Sequence, residues 1–174
     1  RHILRSVAGR AGGNLTLSGN YTLPGFQAQL ETNRQTVTLS GASGTTQSFD
    51  GDFSGGTFSD ASFARVVVSN SITVESTDAF DVTGTPGEYI AREDVTFSGA
   101  GSFTLDKLVS DGEANQNLSQ SSGTSVQIDN FETKKAGTQA TLSSVFTVDQ
   151  SFTIGDGTVV ILNTGVASST SALV

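Results

Sequence analysis

An all-β fold in a single domain is what this sequence predicts, and three observations lead there. Apolar and polar residues alternate with a period of two in many short runs, the pattern of strands with one buried and one wet face. Glycine-containing breaks separate those runs at Gly41 to Gly44, Gly55-Gly56, Gly84, Gly99 to Gly101, Gly123, Gly137 and Gly155 to Gly157. Serine and threonine supply 47 of the 174 residues and glycine another 20, while charged residues make only 15%. About a dozen short strands at this spacing predict a β-sandwich or jelly-roll-like domain with an extended N-terminal arm, and a right-handed β-solenoid is the alternative. Leu, Ile, Val and Phe contribute 45 residues, enough apolar mass for one core, so the chain is expected to fold.

The elements follow in order. Residues 1–13 form the arm: Arg1, Arg5 and Arg10 stand among Ile3, Leu4 and Val7, and Gly12-Gly13 acts as a hinge. The first thirty residues hold those three arginines and no acid, whereas the remainder is net acidic by eleven charges. An arm of one sign ahead of a body of the other suggests a segment that docks, on its own body or on the next subunit. The all-β domain spans 14–165 and begins with the alternating Asn14-Leu15-Thr16-Leu17. Further alternating runs are Thr36 to Ser40, Asp94 to Ser98, Ser102 to Leu105, Ser125 to Asp129 and Ser151 to Ile154. One place reads as a short helix: Thr85-Pro86-Gly87-Glu88 has a capping residue, Pro at the first helical position and Glu three residues after the cap, followed by Tyr89 to Glu93. Asp111 to Gln120 reads as a surface loop. Residues 166–174 form a small polar tail that ends in Ala172-Leu173-Val174.

Between residues 48 and 76, Phe49, Phe53, Phe58 and Phe63 are spaced by four, five and five. Gly56-Thr57-Phe58-Ser59-Asp60 and Ala61-Ser62-Phe63-Ala64-Arg65 look like two pentapeptide units with a central Phe. This stretch resembles the pentapeptide-repeat family, which would imply a square β-helix with the central residues stacked inward. The resemblance covers at most about 25 residues, and Val66 to Asn70 keeps only the spacing. A local aromatic ladder within an irregular β fold is therefore the expectation here.

The chemical inventory disfavours catalysis. The one histidine, His2, lies in the arm beside Arg1, and the chain has no cysteine, so serine or thiol nucleophiles lack their usual base or sulfur. No phosphate-binding glycine loop or GxSxG is present; Gly99-Ala100-Gly101 lacks the third glycine and the helix of a dinucleotide turn. Carboxylate pairs for glycoside hydrolysis are Asp50 with Asp52, Asp78 with Asp81, and Glu93 with Asp94. Seventeen acids produce such pairs without selection, and acids beside glycine usually form turns. Calcium is the one cofactor worth weighing: Gly55 to Asp60 is a degraded GGxGxD unit, and Asp50, Asp52, Asp60 and Asp156 offer carboxylate oxygens. Turn acids in water are the plainer reading, so the expected cofactor is none.

A net charge of −8 argues against nucleic acid as a partner. The longest aliphatic run, Val159 to Leu162, is far below the ~20 residues of a membrane-crossing helix, so no membrane-spanning segment is expected. A chain that starts at Arg1 and contains no methionine is expected to be a processed product. Asn14, Asn20 and Asn117 open N-glycosylation sequons.

These properties together predict a non-enzymatic structural subunit of an extracellular cell-surface filament, pilus-like or a biofilm-matrix fibre. It would be a homopolymer joined by β-strand addition between copies. The assembly residues would be Ile3, Leu4 and Val7 as apolar anchors, with Arg5 and Arg10 meeting the acidic body of the neighbour. The alternatives are a virion structural protein, such as a capsid decoration or tail component, and a β-rich adhesin or carbohydrate-binding module.

Overall fold

The computed structural model describes residues 3–5, 14–22, 29–31, 36–51, 63–134, 137–155 and 158–162. Every regular element among them is a β-strand. The chain opens with β1 (Ile3–Arg5), β2 (Leu15–Leu17) and β3 (Tyr21–Thr22), then β4 (Gln29–Glu31), β5 (Thr36–Leu39) and β6 (Thr46–Asp50). It continues through β7 (Arg65–Val68), β8 (Ile72–Ser76), β9 (Phe80–Val82), β10 (Glu88–Ala91) and β11 (Val95–Ser98). The last elements are β12 (Ser102–Ser110), β13 (Gln116–Gln120), β14 (Ser125–Thr133), β15 (Gln139–Leu142), β16 (Thr147–Ile154) and β17 (Val159–Leu162).

The pairing of these strands rejects the sandwich and jelly-roll expectation and matches the alternative, a β-solenoid of about five turns. All pairings between the strands are parallel, and each partner lies about one turn further along the chain: Val66 of β7 faces Tyr89 of β10, which faces Leu108 of β12. One sheet runs β2-β5-β7-β10-β12-β14-β16, and another runs β3-β6-β8-β11-β13-β15-β17. The first halves of β12, β14 and β16 form a further wall with β9, which is joined by the Phe63–Val82 bridge; along the chain this is the first wall of each turn, the sheet from β2 to β16 the second and the sheet from β3 to β17 the third. Parallel strands ordinarily need a crossover helix. Here a full turn of the coil is itself the crossover, so the lack of helices does not forbid a parallel sheet. β1 and β4 form a separate parallel pair.

The corner between the first and second walls is visible as a slip in the alternation. In β12 the inward residues are Phe103, Leu105, Leu108 and Ser110, and two consecutive residues, Asp106 and Lys107, stay partly exposed between them. β14 repeats this with Asp129 and Asn130, where the register against β16 also shifts. Thus one strand turns a corner without ending.

Inward residues stack from turn to turn. Val37, Val66, Tyr89, Leu108, Phe131 and Phe152 form one buried row, and Ile72, Val95, Leu118 and Leu142 another. Phe63, Phe80 and Phe103 stack along the first wall with centroids 4.9 and 5.4 Å apart. Phe49 meets Phe80 edge-on at 5.1 Å, and Phe97 meets Phe103 at 5.1 Å. An aromatic ladder is therefore present, but it is built across turns. Phe53 and Phe58, from the pentapeptide-like stretch, lie outside the described residues.

The expected helix at 85–93 is a strand. Gly87 adopts φ +66, which no right-handed helix accepts, and β10 sits between two parallel neighbours with Tyr89 and Ile90 buried. The capping pattern was real as spelling, yet two partner strands supply every residue from Glu88 to Ala91 with neighbours that a two-turn helix lacks. The second half of the predicted loop at 111–120 is also a strand, β13. Its Gln116 is buried, with Nε2 donating to the Ala91 and Glu93 carbonyls and Oε1 accepting from Ser110. Gln47 serves the equivalent corner nearer the N-terminus, donating to the Leu17 and Gly19 carbonyls. These amides satisfy backbone groups that the corner withdraws from the ladders.

Candidate assembly surface

A solenoid exposes its inward rows only at its ends, because every internal turn is covered above and below. At the C-terminal end the described structure finishes with β16 and β17, each last in its sheet. The exposed large aliphatic side chains among the described residues are Val145, Ile154, Val159, Ile161 and Leu162, at 38% to 58% exposure. All five belong to this last turn or the corner leading into it. Leu162 extends the buried Ile72-Val95-Leu118-Leu142 row, and Ile154 follows Thr133 in register on the second wall. At the opposite end Leu15, Leu17 and Tyr21 are half-buried and pack against the core from β2 and β3.

Of the predicted assembly residues, Ile3, Leu4 and Arg5 form β1, in parallel register with Gln29, Leu30 and Glu31. This part of the arm therefore pairs within its own chain. Val7 and Arg10 lie outside the described residues, as do His2 and the tail at 166–174. The aliphatic run Val159 to Leu162, noted in the sequence only for its length, is the more exposed apolar feature. Nothing in its spelling distinguishes it from a buried strand; Val159 and Ile161 point outward, and the inward Leu162 is exposed because it stands last in its row.

Two of the other polar candidates tie one turn to the next: the Asp50 carboxylate accepts from the Thr77 hydroxyl at 2.8 Å and the Asp94 carboxylate from the Asn117 amide at 2.7 Å, whereas the Asp78 carboxylate accepts from the adjacent Ala79 amide at 2.9 Å. Asp52, Asp60, Asp156 and the Gly55 to Asp60 unit are outside the described residues. Among the described residues, no three His, Cys, Asp or Glu side chains gather as metal ligands would. Asn14, Asn20 and Asn117 are exposed; Asn20 accepts from the Ser48 amide and Asn117 from the Ser143 hydroxyl.

Two groups depart from ordinary titration. Burial pushes the Tyr89 phenol far above its usual range. Asp129 is raised, first by burial and then by the charges of Asp106 and Asp149. These three acids follow one another along the corner of three successive turns. Their carboxylates accept from the Gly84 amide, from Gln150 and from Gln127 respectively for Asp106, Asp129 and Asp149.

Second-wall residues that point outward include a further apolar row, Val67, Ile90 and Val109, which is also buried. Beside it run the ion pairs Arg65–Glu88 at 3.4 Å and Lys107–Glu132 at 2.8 Å. Among the described residues, no helix is long and apolar enough to cross a membrane. No protein-family model, curated protein or solved structure matches the chain.

Proposed function

We propose that this protein is a non-enzymatic structural subunit of an extracellular cell-surface filament that polymerises by β-strand addition between neighbouring copies. The observation that carries the reading is the last turn, whose free parallel strands coincide with the exposed aliphatic side chains Ile154, Val159, Ile161 and Leu162. A terminal turn that closes a solenoid for solubility is expected to be polar at its outer edge. This one has the composition of an interface. Unpaired strand amides and carbonyls beside apolar side chains are a template for another strand.

The remaining surface suits an inert fibre. Its carboxylates, amides and hydroxyls bond to one another between turns: Thr96 shares a hydrogen bond with Ser119 at 2.8 Å, and Ser151 donates to Asn130 at 2.6 Å. The described phenylalanines with an assigned burial are all inside, and so is Tyr89. That leaves the outer walls without the aromatic platforms that sugar-binding modules use.

Negative-stain electron microscopy of the purified chain tests the proposal. Unbranched filaments of constant width are the expected result. Closed shells or short oligomers of fixed size would favour a virion component, and persistent monomers with affinity for sugars would favour an adhesin.

A further inference from the structure

The filament contact can be assigned to two specific surfaces, an assignment that rests on the filament reading above. We infer that the last turn of one copy stacks on the first turn of a second copy, head to tail. In that contact the second half of β16 lies beside β2 of the next molecule, with Phe152 opposite Leu15 and Ile154 opposite Leu17 in the rows that already join them within the chain, so the solenoid continues across the junction.

Three observations select this arrangement. The first is continuity of the walls. β16 and β2 close opposite ends of one sheet, β17 and β3 opposite ends of another, and every pairing within both is parallel. A second copy in the same orientation therefore sets β2 against β16 in the same sense as the existing ladders. The second is continuity of the core. Ile154 and Leu162 end their inward rows exposed, while Leu15, Leu17 and Tyr21 begin the stack half-buried. Stacking brings the two unfinished ends of one apolar core together.

The third is charge. From residue 147 to residue 174 the only charged side chains are Asp149 and Asp156, whereas the first thirty residues carry Arg1, Arg5 and Arg10 and no acid. The segments that a head-to-tail contact brings into sequence next to each other thus differ in charge. Stacking two like ends would reverse the strand direction at the junction. A head-to-tail contact is heterologous, so it leaves one end of each sort free at every step and grows an open filament.

The absence of cysteine from the chain makes a direct test clean. Thr16 and Thr153 are both exposed and begin and end one outward row of the sheet that runs from β2 to β16, opposite Thr38 and Glu132 respectively. Adjacent strands lie about 4.8 Å apart, within reach of a disulfide. Thr153→Cys and Thr16→Cys chains, prepared separately, mixed and gently oxidised during assembly, are expected to give covalent dimers containing one of each. Leu162→Lys, which adds a charge at an already exposed position, is expected to raise the critical concentration for assembly at least tenfold with the β-type circular dichroism unchanged.

Filaments that form from the mixture without mixed dimers, or that cross-link only Thr153→Cys to itself, would overturn this contact and leave the filament reading intact. Failure of the unmodified 174-residue chain to form filaments under any assembly condition would instead overturn the filament reading, and the contact with it. Because the cross-linking pair does not depend on Leu162→Lys folding, misfolding of that variant leaves a decisive measurement.

Discussion

At the residue scale, burial raises the pKa of two side chains, Tyr89 and Asp129, with different consequences for stability. Tyr89 is wholly buried, 5.3 Å from the Phe97 ring, and its hydroxyl has no hydrogen-bond partner among the described residues. A phenol in that position contributes a ring to the core and a desolvated hydroxyl that works against it. Tyr89→Phe is therefore expected to raise stability by about 1 kcal/mol, read as a higher denaturant midpoint with an unchanged slope. Asp129 shows the electrostatic counterpart. Its folded-state pKa is raised by burial, Asp106 and Asp149, so the native state disfavours its charged form. That penalty is fully present above the folded pKa, shrinks as pH falls through it, and is gone below the unfolded value. Asp129→Asn, which keeps an acceptor for Gln150, is expected to melt higher than the parent at pH 7 and to lose that advantage at about pH 3. An advantage that stayed constant with pH would show that the three acids do not repel one another.

Within the elements, strand alternation was legible and the corners were not. The runs beginning at Thr36, Val95, Ser102, Ser125 and the second half of β16 are strands as expected, because a period of two with β-branched residues fits a pleated surface with one buried side. Of the glycines that break the alternating runs, Gly99, Gly101 and Gly155 are points where one turn touches the next. A Cβ added to Gly101 would lie 1.9 Å from the Asp78 carbonyl oxygen, and Gly99, at φ +104, would meet the Ser76 carbonyl at 2.0 Å. Gly101 also donates its amide to the Ser76 carbonyl at 3.0 Å. Gly101→Ala should therefore force two backbones apart and cost at least about 1–3 kcal/mol, measurable by equilibrium unfolding. Gln116 could be read only as a polar residue in a loop. Its task, holding two carbonyls of the preceding turn, depends on residues 23 to 25 positions earlier in the chain.

For the whole molecule, the contrast between a basic first thirty residues and an acidic remainder bears on the proposed assembly. Deleting residues 1 to 12 removes β1 and all three of those arginines while leaving every turn from β2 onward. The truncated chain is expected to keep its β-type circular dichroism and to lose polymerisation in a sedimentation assay; normal assembly would mean that these residues have no part in it. The intact chain should assemble more slowly at physiological ionic strength than in low salt, because exposed charges are screened beyond about 8 Å. The assembly surface was half legible at this scale. The charged arm stands out in composition, but the exposure of Ile154, Val159, Ile161 and Leu162 does not.

By itself the sequence determined that the chain is all-β, where most strands begin, and which side of each strand faces inward, because alternation and local backbone preference are set by near neighbours. Tertiary structure alone decided between sandwich and solenoid. A strand with one buried face is spelled the same way whether its partner is an antiparallel neighbour across a hairpin or a parallel one a full turn later. That choice is made by contacts such as Phe63 on Phe80 and Phe80 on Phe103. The same contacts decide which apolar strand is covered and which, standing last, is left exposed.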